Sequence, residues 1–391
     1  MGVPRALLPL LAITFVDVLG FTLLIPILPY YAEALGASPT IVGAIYSTAA
    51  VCSLISSPFW GNLSDRIGRK RVLIAAQVFA FAGFVLLASG TALWTVFVAR
   101  GIEGLGGGGL GVTQAYVTDV TTPQTRARAF GLIGATFGLG FLIGPAMAGV
   151  LVRFGYHVPF AVAAALALLT IVLTVTLLPE SHGAVKIAPT FAEVRSSLRS
   201  PVLGRLILTQ FAFAIAFTSW VTVFALWAER QLGFGPQQTS TIFILSSIVG
   251  IIIQLRFIGP LVDRFGEGRI ALAGLALCAI AYAGVGFITM PVAIYGFVVL
   301  WSLGGALTRP ALGALISSAS PAAQRGTILS VNDSLNNLAF VMAPFISTTV
   351  LWFNPHLTGV VPAAFSCVAL AIGYRLLTAP PPPERIEIET A

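Results

Sequence analysis

Gly61-Asn-Leu-Ser-Asp65-Arg66-Ile-Gly68-Arg69-Lys70-Arg71 returns later in the chain as Gly259-Pro-Leu-Val-Asp263-Arg264-Phe-Gly266-Glu267-Gly268-Arg269. Gly, Asp, Arg, Gly and the final Arg coincide at one constant offset. At that same offset Pro123 maps onto Pro321, and with a one-residue slip Pro145 maps onto Pro344. Each copy is a short charged turn between two long apolar runs, so the chain reads as a repeat of helical pairs joined by tight, basic loops.

Outward from these turns, apolar runs recur near 6–31, 41–60, 72–90, 93–119, 130–152, 159–178, 205–228, 239–261, 270–289, 292–318, 328–353 and 360–377. Runs of about 20 apolar residues are the length of a membrane-crossing helix. They are continuous rather than alternating, which favours helices over a membrane barrel. Of the 391 residues 57% are hydrophobic and only 9% charged, against roughly 25% charged in soluble domains. The expectation is an all-α membrane protein of twelve transmembrane helices in two six-helix bundles: residues 1–180, a cytoplasmic linker at 181–204, and 205–391 with a short tail. Within the linker, 191–199 has the pattern of a short surface helix or a plain polar tether.

The formal charge of +7 follows membrane topology rather than a nucleic-acid surface. With the N-terminus inside, the inner side holds Arg5, Arg66, Arg69, Lys70, Arg71, Arg126, Arg128, Lys186, Arg195, Arg199, Arg205, Arg264, Arg269, Arg325, Arg375 and Arg385. The outer loops hold only Arg153 and Arg230. Basic residues accumulate on the cytoplasmic side, so both termini are expected there, in a multi-pass cell membrane of bacterial inner-membrane type. The repeated turns share one side, which makes the halves parallel repeats about an axis normal to the membrane. This arrangement resembles that of the two halves of major facilitator transporters, whose substrate site lies between the halves near the midplane.

Single Cys52, Cys278 and Cys367 show no metal-ligand spacing, and His157, His182 and His356 lie outside the spans. No metal site, cofactor or catalytic constellation is expected, and the chain does not read as an enzyme.

Charges inside the spans are the sharpest chemical signal, since each costs ~2.5–3.5 kcal/mol at a helix centre. Asp17 lies near the middle of the first span. Arg100 and Glu103 share a face of the fourth, where three residues bring side chains together. In the second half stand Arg256, Arg309 and Asp333, with Asn332, Asn336 and Asn337 beside the last. Arg256 and Asp333 are at matching depths for an ion pair. Arg309, directly before Pro310, lacks a sequence-evident partner and suits an anionic substrate group or a proton-dependent partner such as Asp17. In the seventh span Phe213, Phe217, Trp220, Phe224 and Trp227 fall on one helical face, fit for a flat ligand or for lipid and core packing. Gln114 is a further polar contact.

These residues carry a family resemblance. The Gly61–Arg71 segment resembles the loop motif of the major facilitator superfamily. Asp17-Val-Leu-Gly-Phe-Thr-Leu-Leu-Ile-Pro26-Ile-Leu-Pro29 resembles the first span of twelve-span drug:proton antiporters, particularly the tetracycline-exporter-like group. Arg100-Gly-Ile-Glu103-Gly104 resembles that group's fourth-span motif, which usually has Gln where this chain has Glu103. Gly140-Phe-Leu-Ile-Gly144-Pro145-Ala-Met-Ala-Gly149 resembles the fifth-span motif of antiporters.

The resemblance implies a secondary transporter that exchanges protons for small hydrophobic or amphipathic compounds, acts as a monomer and needs only a proton gradient. Proton coupling falls to Asp17 or Glu103 with Arg100, Asp17 ranked first. Arg309, Gln114, Phe213, Phe217, Trp220, Asn332, Asp333 and Asn336 are candidate substrate contacts. Gly61, Asp65, Arg66, Gly68, Arg69, Lys70, Asp119, Asp263 and Arg264 form a candidate latch that breaks on inward opening, Asp119 being at the depth of Arg69 or Lys70. Gly140, Gly144 and Pro145 are a candidate hinge. Proton-coupled uptake, an anionic or lipid-like cargo, and a non-transporting sensor remain the alternatives.

Overall fold

A computed structural model describes residues 7–107, 109–181, 195, 199–288, 290–320 and 325–377. Its helices are α1 (Leu7–Leu24), α2 (Leu28–Ala34), α3 (Pro39–Ile67), α4 (Arg69–Ser89), α5 (Leu93–Leu105), α6 (Gly109–Val120), α7 (Pro123–Leu151) and α8 (His157–Leu177). A second group follows: α9 (Leu203–Leu232), α10 (Pro236–Ile252), α11 (Ile258–Phe265), α12 (Glu267–Gly284), α13 (Ala293–Ala319), α14 (Arg325–Phe353) and α15 (Val360–Leu377). No strand occurs among the described residues. The protein is an all-α membrane protein.

Eleven helical stretches among the described residues are long and apolar enough to cross a membrane. The fourth expected span is instead two shorter helices, α5 and α6. Consecutive glycines each disfavour a helix interior by ~1 kcal/mol relative to alanine, and the chain leaves the helix at Gly106–Gly107. Close packing holds the break: a Cβ on Gly106 would lie 2.6 Å from the Phe79 Cβ, and one on Gly107 2.1 Å from the Ser53 hydroxyl. The first expected span also divides, at the Ile25–Ile27 turn that contains Pro26. Of the expected linker helix only Arg195 and Arg199 are described, both helical; Pro321 lies outside the described residues.

Local chemistry sets the ends of other helices. Ser38 caps α3 by accepting from the Ile41 amide at 3.4 Å, with Pro39 next in line. Proline suits this first-turn position because its missing N–H would have no helical partner. The repeated turns end on Gly68 (φ 102°) and Gly266 (φ 80°), conformations that side-chain-bearing residues rarely adopt. The glycine shared by the two copies is therefore a backbone requirement.

The helices up to α8 pack mainly on one another, as do those from α9 onward. Across the groups α3 packs on α14 and α7 on α10. These seams are confined to the end of the bundle away from the basic turns. On α3, a Cβ on Gly43 would meet the Thr348 hydroxyl at 2.1 Å, and Ser47 donates to the Val341 carbonyl at 2.7 Å. On α7, Gly149 abuts Ser240 and the Phe141 carbonyl accepts from Ser247 at 2.9 Å. Nearer the basic end, a Cβ on Gly61, Gly131, Gly134, Gly250 or Gly259 would have nothing within 4 Å. The core divides in the same way. One cluster joins both groups through Leu23, Tyr31, Phe160, Trp220, Trp227 and Tyr282, while Leu7, Trp60, Tyr116 and Leu178 form a separate cluster in the first group. The named contacts between the groups gather at the end away from the basic turns, the sealed end.

Candidate proton and substrate site

On α1, Val18 and Thr22 are one turn apart and face α7. A Cβ on Gly140 would sit 2.4 Å from the Val18 side chain and one on Gly144 2.0 Å from the Thr22 hydroxyl. The Thr22 hydroxyl is within hydrogen-bond distance of the carbonyls of Val18 (2.8 Å) and Gly140 (2.9 Å). Small faces let membrane helices approach this closely. Helix α7 runs unbroken through Pro145. In this arrangement Gly140 and Gly144 are contact points for α1.

The seam fixes Asp17, the residue preceding Val18 and turned away from α7 by the helical step. Its carboxylate accepts from the Gln77 amide at 3.4 Å, and the Thr170 hydroxyl lies beside it. The side chain is nonetheless accessible. A carboxylate surrounded by protein yet accessible lines an internal space rather than lipid. At 1.5 Å per residue it lies ~15 Å along α1 from Leu7.

Arg100 and Glu103 form an ion pair within α5. Gly83 of α4 sits against Glu103, where an added Cβ would be 3.2 Å from the Glu103 Cβ. The structure thus gives Asp17 to Gln77 and Thr170, and Arg100 to Glu103. Gln77 and Thr170 were not singled out in the sequence; a glutamine inside the 72–90 run was the available signal.

In the second group Arg309 lies on α13, roughly ten residues or ~15 Å from its basic end, the depth of Asp17. Its guanidinium carbon stands 4.7 Å from the centre of the Phe217 ring. Among the described residues it makes no ion pair or hydrogen bond, and its side chain is accessible. Asp333 on α14 is also accessible, with Asn332 and Asn336 half-buried beside it, and Gln114 is half-buried on α6.

The expected Arg256–Asp333 ion pair is not formed. The helix widens to π-type turns over Ile253–Phe257, and one inserted residue turns side chains by about 100° from the α-helical register. The seventh-span aromatic face is also resolved differently. Phe213, Trp220, Phe224 and Trp227 are buried, and the Trp220 ring lies 5.4–5.8 Å from those of Phe224, Trp227, Tyr282 and Trp301. The stripe packs on α12 and α13, so Phe213 and Trp220 belong to the core here and Phe217 is left at the accessible edge.

At the basic end Arg69 pairs with Asp65, and its Nε reaches Asp119 at 3.1 Å. Ser64 accepts from Arg69, and Ser181 donates to Asp119 at 3.2 Å. Glu180 accepts from the Lys70 amide at 2.9 Å and fills the space over Gly68, while the Lys70 ammonium reaches the Val175 carbonyl at 2.8 Å. Arg66 is exposed. These contacts lie within α3, α4, α6 and the segment that ends α8, all in the first group. In the second copy Asp263 and Arg264 are exposed. There Glu267 stands in the place of Arg69 and Ser317 in that of Asp119, so the same network cannot form.

The sealed end has residues of its own that the sequence did not single out. The Tyr30 hydroxyl lies 2.7 Å from the Thr239 hydroxyl and within 3.1 Å of the Ala225 and Phe234 carbonyls. Arg230 meets Glu33 at 2.8 Å, joining α9 to α2. Desolvation, together with the hydrogen bond to Glu229, pushes the Glu33 carboxyl up to about 7 despite the pull of Arg230.

The family described as Major Facilitator Superfamily matches residues 10–257 and 231–391. The chain is 29% identical to Multidrug resistance protein 2 of Bacillus subtilis (strain 168), over 94% of this chain and 93% of that protein. It is 30% identical to the class D tetracycline resistance protein of Salmonella ordonez, over 86% of this chain and 87% of that protein. Among solved structures, the human organic anion transporter MFSD10 superposes with a TM-score of 0.74, covering 95% of this chain and 99% of that one. At 22% identity that likeness shows the fold alone.

Proposed function

Because the chain belongs to the Major Facilitator Superfamily, we propose that it is a proton-coupled antiporter that exports small amphipathic compounds across the cell membrane by alternating access. Asp17 carries this reading: an accessible carboxylate at mid-depth, held by Gln77 at 3.4 Å and open toward the basic end. The multidrug and tetracycline resistance relatives support export. The basic end is cytoplasmic by the distribution of Lys and Arg, so the conformation is inward-open, and a single chain suffices.

In the cycle, substrate from the cytoplasm enters the open end and displaces the proton from Asp17. The groups then rock, parting the α3–α14 and α7–α10 seams, the Glu33–Arg230 pair and the Tyr30 contacts, while the basic end closes. Release outside returns a proton to Asp17 and resets the bundle. Gly140 and Gly144 hold the turn that carries Asp17 against α7. The Asp65–Arg69–Asp119 network keeps α3, α4 and α6 one rigid unit during rocking. No covalent bond is made or broken.

The test is reconstitution in liposomes with an imposed pH gradient, following an amphipathic dye. Gradient-driven dye flux should disappear in Asp17→Asn while dye binding persists. Gradient-driven flux at the native rate in Asp17→Asn would reject Asp17 as the proton carrier. Absence of any flux from the native protein would favour a sensor.

A further inference from the structure

Two accessible, unlike charges lie ~15 Å from the basic ends of their helices, Asp17 on the first group and Arg309 on the second. We propose that the substrate is a zwitterionic aromatic amphipath, its cationic group directed to Asp17 and its anionic group to Arg309. The proposal rests on the antiport reading above.

Arg309 is the first reason. A guanidinium at mid-membrane depth is costly, and among the described residues it is offset by no carboxylate within ion-pair distance. Its contact with Phe217, 4.7 Å to the ring centre, holds the plane of the group while leaving its N–H donors for an outside acceptor. A guanidinium presents paired donors that match a carboxylate or similar anion. The accessible Phe217 ring beneath it favours an aromatic body.

The sign of coupling is the second reason. Binding free energies of two ligands at linked sites are reciprocal. Protonation of Asp17 makes the site more positive, so it strengthens the hold of Arg309 on an anion. An exclusively anionic cargo would therefore travel with the proton, not against it. Arg256 and Asp333 also carry charge in the second group, and Arg100 with Glu103 is internally neutralised, so none reverses this sign. A cation competes with the proton for Asp17 directly, which is exchange. A cargo that uses Arg309 and is still exchanged for protons must carry both charges.

Three xanthene dyes separate the cases: rhodamine B (zwitterion), its ethyl ester (cation) and fluorescein (anion). Each is followed in proteoliposomes under a proton gradient. The expected result for the native protein is proton-driven exchange of rhodamine B at least tenfold faster than of the ester, and no exchange of fluorescein. In Arg309→Gln the rhodamine B to ester ratio should fall about tenfold, and Arg309→Lys should recover part of it. A native ratio near one, or a ratio unchanged in Arg309→Gln, overturns the proposal, and the first of these needs no variant to fold. Proton-driven fluorescein flux in the direction of the proton overturns it in favour of an anion symporter. Proton-driven ester exchange that persists in Asp17→Asn fails the antiport reading at Asp17 instead, leaving the Arg309 ratio as a separate result.

Discussion

Gly144→Ala isolates the contact that positions Asp17. The new Cβ would lie 2.0 Å from the Thr22 Oγ1, 2.9 Å from the Thr22 Cβ and 3.2 Å from the Leu23 amide nitrogen. Turning the Thr22 side chain relieves the first clash but gives up its 2.9 Å contact with the Gly140 carbonyl, worth ~0.5–1.5 kcal/mol. The second remains, and α1 must move by about 0.5 Å from α7 to restore an ordinary contact. Overfilling a packed interface costs ~1–3 kcal/mol. The expected result is a melting temperature lowered by several degrees in detergent, with proton-driven flux reduced because the turn bearing Asp17 moves with Thr22. Thr22→Ala removes the nearest clashing atom, so the double variant should recover part of the loss, a coupling of ~0.5 kcal/mol or more. Pro145→Ala should cost less, since α7 is continuous through that position and the change overfills no contact. Native stability and flux in Gly144→Ala, or strict additivity with Thr22→Ala, would refute the contact argument and return Gly144 to a hinge role.

Three further outcomes follow from the geometry. Arg69→Ala strands two carboxylates whose side chains are only 3% and 12% exposed; removing one partner of a buried pair costs ~3–5 kcal/mol, so folded protein should fall sharply, whereas Arg264→Ala at the exposed second copy should change the melting temperature little. The raised Glu33 carboxyl, about 7 in the sealed end against an ordinary 4.5, means that sealing takes up a proton: the sealed end is favoured most at low pH and loses that contribution as pH rises through about 7. Distances between spin labels at Ser38 and Asn354 should therefore lengthen on alkalinisation, and Glu33→Gln should flatten the response. Gly43→Leu drives a side chain into Thr348 and the Pro344 carbonyl, and should lengthen that same distance at every pH.

Membership of the all-α class and the location of the charged turns were legible in the amino-acid order because both rest on one-dimensional quantities. Run length against membrane thickness identifies spans, and the Gly61 and Gly259 copies mark a repeat without any coordinates. Asp17, Arg100, Glu103 and Arg309 were legible as intramembrane charges, because the cost of burying a charge makes each conspicuous. Their partners were not. Gln77 and Thr170 reach Asp17 from α4 and α8, and the pairing depends on how three helices rotate about their axes, which no spacing along the chain records. The π-type turn at Ile253–Phe257 changed the direction of Arg256 for the same reason. The aromatic face of the seventh span was correct as a face, but periodicity does not say what lies opposite, and packing against Tyr282 and Trp301 made it core.

What the sequence by itself determined is composition against solvent: which segments prefer lipid, which turns require glycine, and which charges are expensive enough to need a reason. Tertiary structure alone decided which of those charges meet. Contacts such as Tyr30 with Thr239, Glu33 with Arg230, and Gly43 with Thr348 join residues about two hundred or more positions apart, and the gap in energy between the sealed and open ends lies in those contacts. Local propensity acts over a helical turn, whereas the seams between the groups act across the whole chain.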